Sequence, residues 1–478
     1  MLKRHLAGVP IGAFKPTLIM SHIPIFSSAL LTDLYELTMA ASYFEHKPRA
    51  LASFDLFIRD LPKERSFFLA AGLADIVEFL SNFHFDQEAI DYLKGLGIFS
   101  GRFLNYLKEL RFRGSLWALP EGTIFFPNEP VLRVVAPIIE AQIIESYLLN
   151  TINLQTTIAT KAARVVLAAQ DKNVFDFSLR RTHGADAAVK AARSAYLAGF
   201  SGTSNCLAGK LYGIPAVGTM AHSFVMSFDD ELASFQAFAQ SFPKNSTILV
   251  DTYDTMKGVK NAILVALELE KKGQRLKAIR LDSGDLVSLS KKAREMLDKA
   301  GLPYVKILAS GNLDEYRIAE LIKERAAIDS FGVGTKMGVS EDAPYCDVIY
   351  KLNEITDGNG DFLPTMKLSL GKVTYPGRKQ IYRQFDPKGK IKKDIIGLEN
   401  EKLPGTPLLV KVMDRGKRIY KIPSLPETRS FTTANLANLP ASLTSLKKTS
   451  QYPVKISPKL KALTKKVSKK ILNNIKDR

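Results

Sequence analysis

Five short apolar runs in the middle of the chain end in residues able to do chemistry, and one ending carries a histidine. Ile214–Val217 ends in Gly218-Thr219-Met220-Ala221-His222-Ser223, Ile248–Val250 in Asp251-Thr252-Tyr253-Asp254, and Ala278–Leu281 in Asp282-Ser283-Gly284-Asp285. Val305–Leu308 ends in Ala309-Ser310-Gly311-Asn312, and Ser330–Val333 in Gly334-Thr335-Lys336. His222 offers the sharpest chemistry. An imidazole titrates near neutrality (reference pKa about 6.5) and can serve as base, acid or phosphate-accepting nucleophile. A carboxylate one strand over would hold its ring and fix the tautomer, and Asp251 is placed for that role. Gly311, Gly332, Gly334 and Thr335 offer backbone N–H groups that can approach a phosphate, aided by the following helix N-terminus. Arg280 and Asp282 flank Leu281 and point to one side of a strand. A guanidinium for phosphate beside a carboxylate for a ribose hydroxyl suits a phosphoribosyl group. Phe177 with Arg180 and Arg181 sets an aromatic face beside cations, fit to stack a planar ring and bind its carboxylate. Each feature also has a plain structural reading: a core histidine, tight-turn glycines, an ion pair inside a barrel, or a core phenylalanine with surface arginines.

These residues need elements that bring them together. Runs so short, rich in β-branched residues and separated by helical stretches, predict buried parallel strands in βα units. In a βα barrel the loops after the strands converge on one mouth. Upstream, the pattern predicts a helix over Leu34–Phe44 with Asp33 as its N-cap, a strand at Ala52–Ile58, and helices at Gly72–Leu80 and Gln87–Leu96. Residues 115–135 read as strands, and a long helix through Ile138–Leu167 leads into the βα series. Asp357-Gly358-Asn359-Gly360 is a turn, with strand-like pieces through Tyr382 and over Leu408–Tyr420. The expected fold is α/β: a distorted βα (TIM-like) barrel plus an α+β accessory domain built from N- and C-terminal segments. The expected division is a disordered extension over 1–28, accessory domain over 29–137, barrel over 138–353, accessory domain again over 354–440, and a basic amphipathic helix or tail over 441–478.

Composition narrows the function. With 478 residues, the chain has room for two or three domains. Two cysteines, Cys206 and Cys346, exclude a disulfide framework or a cysteine-built metal cluster and suit a reducing cytoplasm. The formal net charge is +19, and from Ala441 to Arg478 ten lysines and one arginine face a single acid, so over half of it sits in the tail. Leu460, Leu463, Val467, Ile471 and Ile475 recur there at helical spacing, which predicts an amphipathic helix packed on the body with a solvated basic face. No aromatic interleaving points to nucleic acid, and no run approaches the ~20 apolar residues that span a bilayer. The first 28 residues hold Lys3, Arg4 and Lys15 and no acid, but Pro10, Pro16 and Pro24 interrupt any transit-peptide pattern, and Met20 is an alternative start. A Walker loop, a Gly-x-Ser-x-Gly elbow and metal-ligand spacings of His and Cys are all missing from the sequence.

Taken together, Leu31–Met39, Gly199–Asn205, Gly218–Ser223, Arg280–Leu286, Ala309–Glu315, Phe331–Thr335 and Lys367–Ser369 resemble the nicotinate phosphoribosyltransferase family, with Tyr452-Pro453-Val454 and Ile456-Ser457-Pro458 extending the likeness. The resemblance implies transfer of a phosphoribosyl group from 5-phosphoribosyl 1-pyrophosphate to nicotinate, with Mg²⁺ carried by the phosphorylated substrates. It also implies ATP as co-substrate, used through transient phosphorylation of His222, and a cytoplasmic enzyme that opens NAD salvage from nicotinate. Asp251 would orient His222, and Arg280 and Asp282 would meet the ribose phosphate portion. Gly311, Gly332, Gly334 and Thr335 would cradle the 5′-phosphate, Phe177 would stack on the pyridine and Arg180 would face its carboxylate. Thr203 and Ser204 fall in the substrate-binding stretch; a serine at 204, where nicotinamide-specific relatives place an aspartate, favours nicotinate. Tyr35 would complete the pocket from the neighbouring subunit of a homodimer with shared active sites, and Arg59 would contact pyrophosphate.

Overall fold

The computed structural model describes residues 28–369, 374–447 and 451–476, so the expected extension lies outside it save for Ser28. Six parallel strands form the sheet that carries the strand-end residues. Their order is Gly202–Thr203, Asn173–Asp176, Ser330–Val333, Lys306–Ala309, Ala278–Leu281, Thr247–Leu249. Ile248, Ile279, Ile307, Phe331 and Val333 are all buried, as both faces of a helix-covered parallel sheet require. The helices Thr255–Lys271, Leu286–Lys299 and Glu315–Lys323 return the chain between successive strands.

Two expectations change here. The run Ile214–Val217 forms no regular strand, only a single bridge between Ala216 and Thr203. Gly202–Thr203 and Thr247–Leu249 stand at opposite edges of the sheet, so it is a parallel half-barrel and not a closed ring. Pro215 gives its carbonyl to the Thr203 N–H but has no N–H of its own to donate, which cuts the ladder short at this edge.

A second sheet mixes the two ends of the chain. Its seven strands run Phe362–Pro364, Val348–Thr356, Leu51–Ile58, Pro130–Pro137, Ser115–Ala118, Val410–Asp414, Lys417–Arg418, each antiparallel to its neighbours. Val348–Thr356 belongs wholly to this sheet, across the boundary expected at 353. A third sheet orders Thr406–Pro407, Lys379–Phe385, Ile391–Leu398 and Val454–Ile456. The buried ion pair of Lys379 with Asp55 at 2.7 Å ties this sheet to the second, and within the third sheet Arg383 reaches Asp394 at 2.5 Å.

The long helix breaks at Ile144 into Ile138–Ile143 and Glu145–Ala169. The second piece packs against Ala185–Leu197, Glu315–Lys323 and the strand Val348–Thr356, and so joins half-barrel to sheet. Its alanines and threonines, among them Thr156, Ala159, Thr160, Ala162 and Ala163, are buried and let neighbours approach closely. Leu34–His46 is helical, but the Asp33 side chain makes no capping bond. A helix at Gly101–Glu109, capped by Ser100 and burying Phe103, Leu104 and Leu107, was not anticipated. The basic helix is shorter than the expected 441–478: it spans Pro458–Lys476, after the short helix Ala441–Thr444 and the sheet strand Val454–Ile456, with Leu460 and Val467 buried and Lys461, Lys465 and Lys469 facing solvent. No helix among the described residues is long and apolar enough to cross a membrane.

Candidate active site

The half-barrel brings the strand ends to one mouth, and Arg280 is its hub. From the end of Ala278–Leu281 its Nε donates to Ser310 Oγ at 2.7 Å, its Nη1 to Thr219 Oγ1 at 3.1 Å and its Nη2 to Asp282 Oδ1 at 2.5 Å. Ser310 closes the ring by donating to the same Asp282 oxygen at 2.5 Å. Burial pushes the Asp282 carboxyl up, but the Ser310 hydroxyl and the Arg280 guanidinium outweigh it and hold the group below the usual range. The Arg280 guanidinium also lies 5.5 Å from the centre of the Phe177 ring. The cation, the carboxylate and the aromatic face are therefore one unit, assembled from three strand ends.

His222 opens the short helix His222–Met226 beside this unit. Its side chain is 42 % exposed, and Nε2 stands 3.9 Å from Asp282 Oδ2. Nδ1 meets Thr252 Oγ1 at 3.2 Å. The expected orienting carboxylate is turned elsewhere: Asp251 Oδ2 accepts from the Asp282 N–H at 2.8 Å and from Ser283 Oγ at 2.7 Å. Asp251 thus braces the Asp282 loop, and Thr252 holds the imidazole. Two further strand-end acids act as helix caps, since Asp254 accepts from the Lys257 N–H and Asp285 from the N–H groups of Val287 and Ser288.

The glycines work mainly by letting the chain pass. Gly311 sits at φ +88°, and a Cβ there would lie 1.8 Å from the Asp282 carbonyl oxygen. At Gly332 a Cβ would fall 2.4 Å from the Phe177 ring, so this glycine creates the seat of the aromatic side chain. Gly334 precedes the turn Thr335–Gly338, which Lys336 ties to Asp314 across 2.9 Å.

Asp176, unmarked in the sequence, fastens the other side of the mouth. Its carboxylate accepts from the Ser178 N–H at 2.8 Å and from Thr203 Oγ1 at 2.6 Å, and its carbonyl accepts from the Ser204 N–H. Burial pushes its carboxyl up. Thr203 is fully buried in this role, whereas Ser204 is half-exposed. Arg180 lies exposed in the turn after Phe177. A cavity of about 540 Å³ continues from Phe177 and Thr219 into the half-barrel, past Thr247, Leu308 and Ser330.

Tyr35 and Arg59 are not brought to this mouth. Tyr35 is 47 % exposed and lines a separate concavity of about 750 Å³ with Asp33, Asp75, Ser146 and Lys190. Arg59 follows the strand Leu51–Ile58, where its backbone bonds Asp347 and Asn128. No three His, Cys, Asp or Glu side chains are gathered to hold a metal among the described residues.

The comparisons with known proteins agree with this geometry. The N-terminal domain family of nicotinate phosphoribosyltransferase matches residues 30–153, the nicotinate phosphoribosyltransferase family residues 173–356, and its C-terminal domain family residues 405–464. The chain belongs to the nicotinate phosphoribosyltransferase family. It is 51 % identical over 436 residues to a nicotinate phosphoribosyltransferase of Mycobacterium tuberculosis, covering 90 % of this chain and 92 % of that one. A nicotinate phosphoribosyltransferase of Bacillus subtilis is 40 % identical over 463 residues, covering 90 % and 93 %. The crystal structure of human nicotinic acid phosphoribosyltransferase superposes with a TM-score of 0.82 at 30 % identity, over 91 % of this chain and 99 % of that one. A nicotinate-nucleotide pyrophosphorylase from Pyrococcus furiosus gives 0.69 at 26 % identity, over 88 % and 98 %. Membership makes this protein an enzyme, a phosphoribosyltransferase.

Proposed function

We propose that this enzyme joins nicotinate to 5-phosphoribosyl 1-pyrophosphate, giving nicotinate mononucleotide and pyrophosphate, and that ATP hydrolysis drives the reaction through a phosphohistidine at His222. The observation that carries this reading is the Arg280–Asp282–Ser310 unit beside both Phe177 and His222. Asp282 accepts ribose hydroxyls and Arg280 neutralises phosphate, while the loops at Gly311, Gly332, Gly334 and Thr335 take the 5′-phosphate. The pyridine stacks on Phe177, its carboxylate meets Arg180, and Ser204 adds a hydroxyl that does not repel it. Arg59 serves pyrophosphate, and Tyr35 closes the pocket of the neighbouring subunit in a homodimer. The half-barrel acts as one domain, and the sheets formed by both chain ends act as the accessory domain that carries Tyr35 and Arg59.

The bond from the anomeric carbon to pyrophosphate breaks as the pyridine nitrogen lone pair forms the new C–N bond. That nitrogen bears no proton, so no general base is needed, and the protein's work is positioning and screening of charge. Mg²⁺ enters with the polyphosphate substrates, in the manner of an ion that keeps few protein ligands. In the coupled step the γ-phosphoryl group of ATP passes to His222, releasing ADP, and water later removes it as phosphate. The setting is the cytoplasm and the pathway is NAD salvage from nicotinate.

The test mixes purified protein with phosphoribosyl pyrophosphate, Mg²⁺ and nicotinate, nicotinamide or quinolinate, with and without ATP. Nicotinate mononucleotide that rises with ATP, and a His222→Ala protein that keeps its fold but loses the ATP response, support the proposal. Product from another base alone would overturn it.

A further inference from the structure

Nothing in the reaction as described accounts for Thr252, yet it is the residue that touches His222. We propose that Thr252 is the positioning residue for His222: its hydroxyl accepts a hydrogen bond from Nδ1–H, so that the Nε2 lone pair is left free at the mouth. The inference rests on the phosphohistidine reading above.

Thr252 is well built for this. The preceding Val250 is fixed to the Arg280 carbonyl, and Asp251 is pinned by the Asp282 N–H and Ser283. Two residues on, Asp254 caps the 17-residue helix Thr255–Lys271. The hydroxyl therefore projects from a short span anchored at both ends. On the other side, Val225 is buried and Phe224 packs edge-on against Phe238, so the helix that opens with His222 is itself held. The 3.2 Å contact joins two rigid pieces.

The direction of that bond decides the chemistry. Asp282, kept ionised by Ser310 and Arg280, stands 3.9 Å from Nε2 and attracts a proton onto it. An imidazole with hydrogen on Nε2 has no lone pair there to accept a phosphoryl group. Thr252 opposes this by accepting from Nδ1–H, which leaves Nε2 as the base-like nitrogen. The N–P bond then forms at Nε2 as the bond from the γ-phosphorus to ADP breaks, and the cationic ring keeps its Nδ1 proton on Thr252. Asp251 makes no bond to the ring: its Oδ2 accepts from the Asp282 N–H and Ser283, its Oδ1 is buried without a partner, and Nδ1 meets Thr252.

The experiment follows label from [γ-³²P]ATP into the intact protein over time, for the wild type, Thr252→Val and Thr252→Ser, each checked for fold by thermal unfolding. Valine keeps the shape and removes the hydroxyl. The expected result is an initial labelling rate about tenfold lower for valine, the worth of one orienting hydrogen bond, at an unchanged half-saturating ATP concentration. Serine should restore most of it. A folded Thr252→Val protein that labels at the wild-type rate overturns the inference alone. So does a serine variant as slow as valine, which would mark a packing role. A wild-type protein that takes up no label overturns the phosphohistidine reading and this inference with it.

Discussion

Burial raises the Glu36 carboxyl to about 7, and replacing it with glutamine tests what that proton does for the fold. It is fully buried, and Oε1 accepts from the Ser146 N–H at 3.0 Å and the Ser146 hydroxyl at 2.6 Å. Oε2 contacts Thr32 Oγ1, which also lies 2.9 Å from the Ile143 carbonyl. A threonine has one hydroxyl proton. If it goes to the carbonyl, which can only accept, the contact with Glu36 needs a proton on the carboxyl. Burial, opposed by the Ser146 and Thr32 hydrogen bonds and reinforced by Glu145, pushes the group from 4.5 up to about 7. The folded state therefore binds this proton more tightly than the unfolded chain. The resulting stability is fully present below about 4.5, fades between 4.5 and 7, and is gone above. At 1.36 kcal/mol per pH unit, ionising Glu36 in the fold costs about 3 kcal/mol. Glutamine mimics the protonated form, its carbonyl accepting from Ser146 and its amide donating to Thr32. Denaturant unfolding of wild type and Glu36→Gln at pH 5 and pH 8.5 should show near-equal stability in acid, and the variant ahead by about 2 to 3 kcal/mol in base. A difference that does not change with pH would refute the reasoning.

Glu315→Gln should cost about 3–5 kcal/mol, the toll of removing one partner from a buried ion network. Lys161, Arg164 and Arg65 lie 2.5, 2.9 and 3.5 Å from its carboxylate, and all three are almost fully buried. Denaturant unfolding measures the loss, and a cost under about 1 kcal/mol would show that Asp342, which pairs Arg65 and Lys161, compensates for it. Gly311→Ala should abolish phosphoribosyl pyrophosphate binding, because a Cβ 1.8 Å from the Asp282 carbonyl must displace the Arg280 unit. Titration calorimetry with the substrate checks it, and retained affinity would mean that the loop shifts without moving Asp282.

The sequence and the structure agree where a residue's chemistry and its strand position point the same way. Arg280 and Asp282 could be paired from their spacing about Leu281, since a strand sends alternate residues to one face. Phe177 and His222 could be placed at strand or loop ends because glycine and polar residues crowd after apolar runs. The orienting role expected of Asp251 rested on its place one strand over and on a carboxylate being the commoner partner for imidazole. Its side chain is spent instead on the Asp282 N–H and Ser283, and the neighbouring hydroxyl makes the contact. That choice depends on how the chain turns after Thr247–Leu249, which neither period nor composition encodes. Asp254 and Asp285 were hidden by the same ambiguity, because one carboxylate at a strand end serves equally as ligand or as helix cap. Closure of the barrel was over-read for a related reason. Ile214–Val217 has the composition of a strand, but Pro215 lacks the N–H a ladder needs, and the segment spends its remaining bonds on Thr203 alone. The break at Ile144 was invisible for the opposite cause: the N–H of Ser146, where the helix restarts, is satisfied by the carboxyl of Glu36, 110 residues away in sequence. Local pattern thus locates the strand-end groups that do chemistry, while contacts of long sequence separation decide which of two similar neighbours does it.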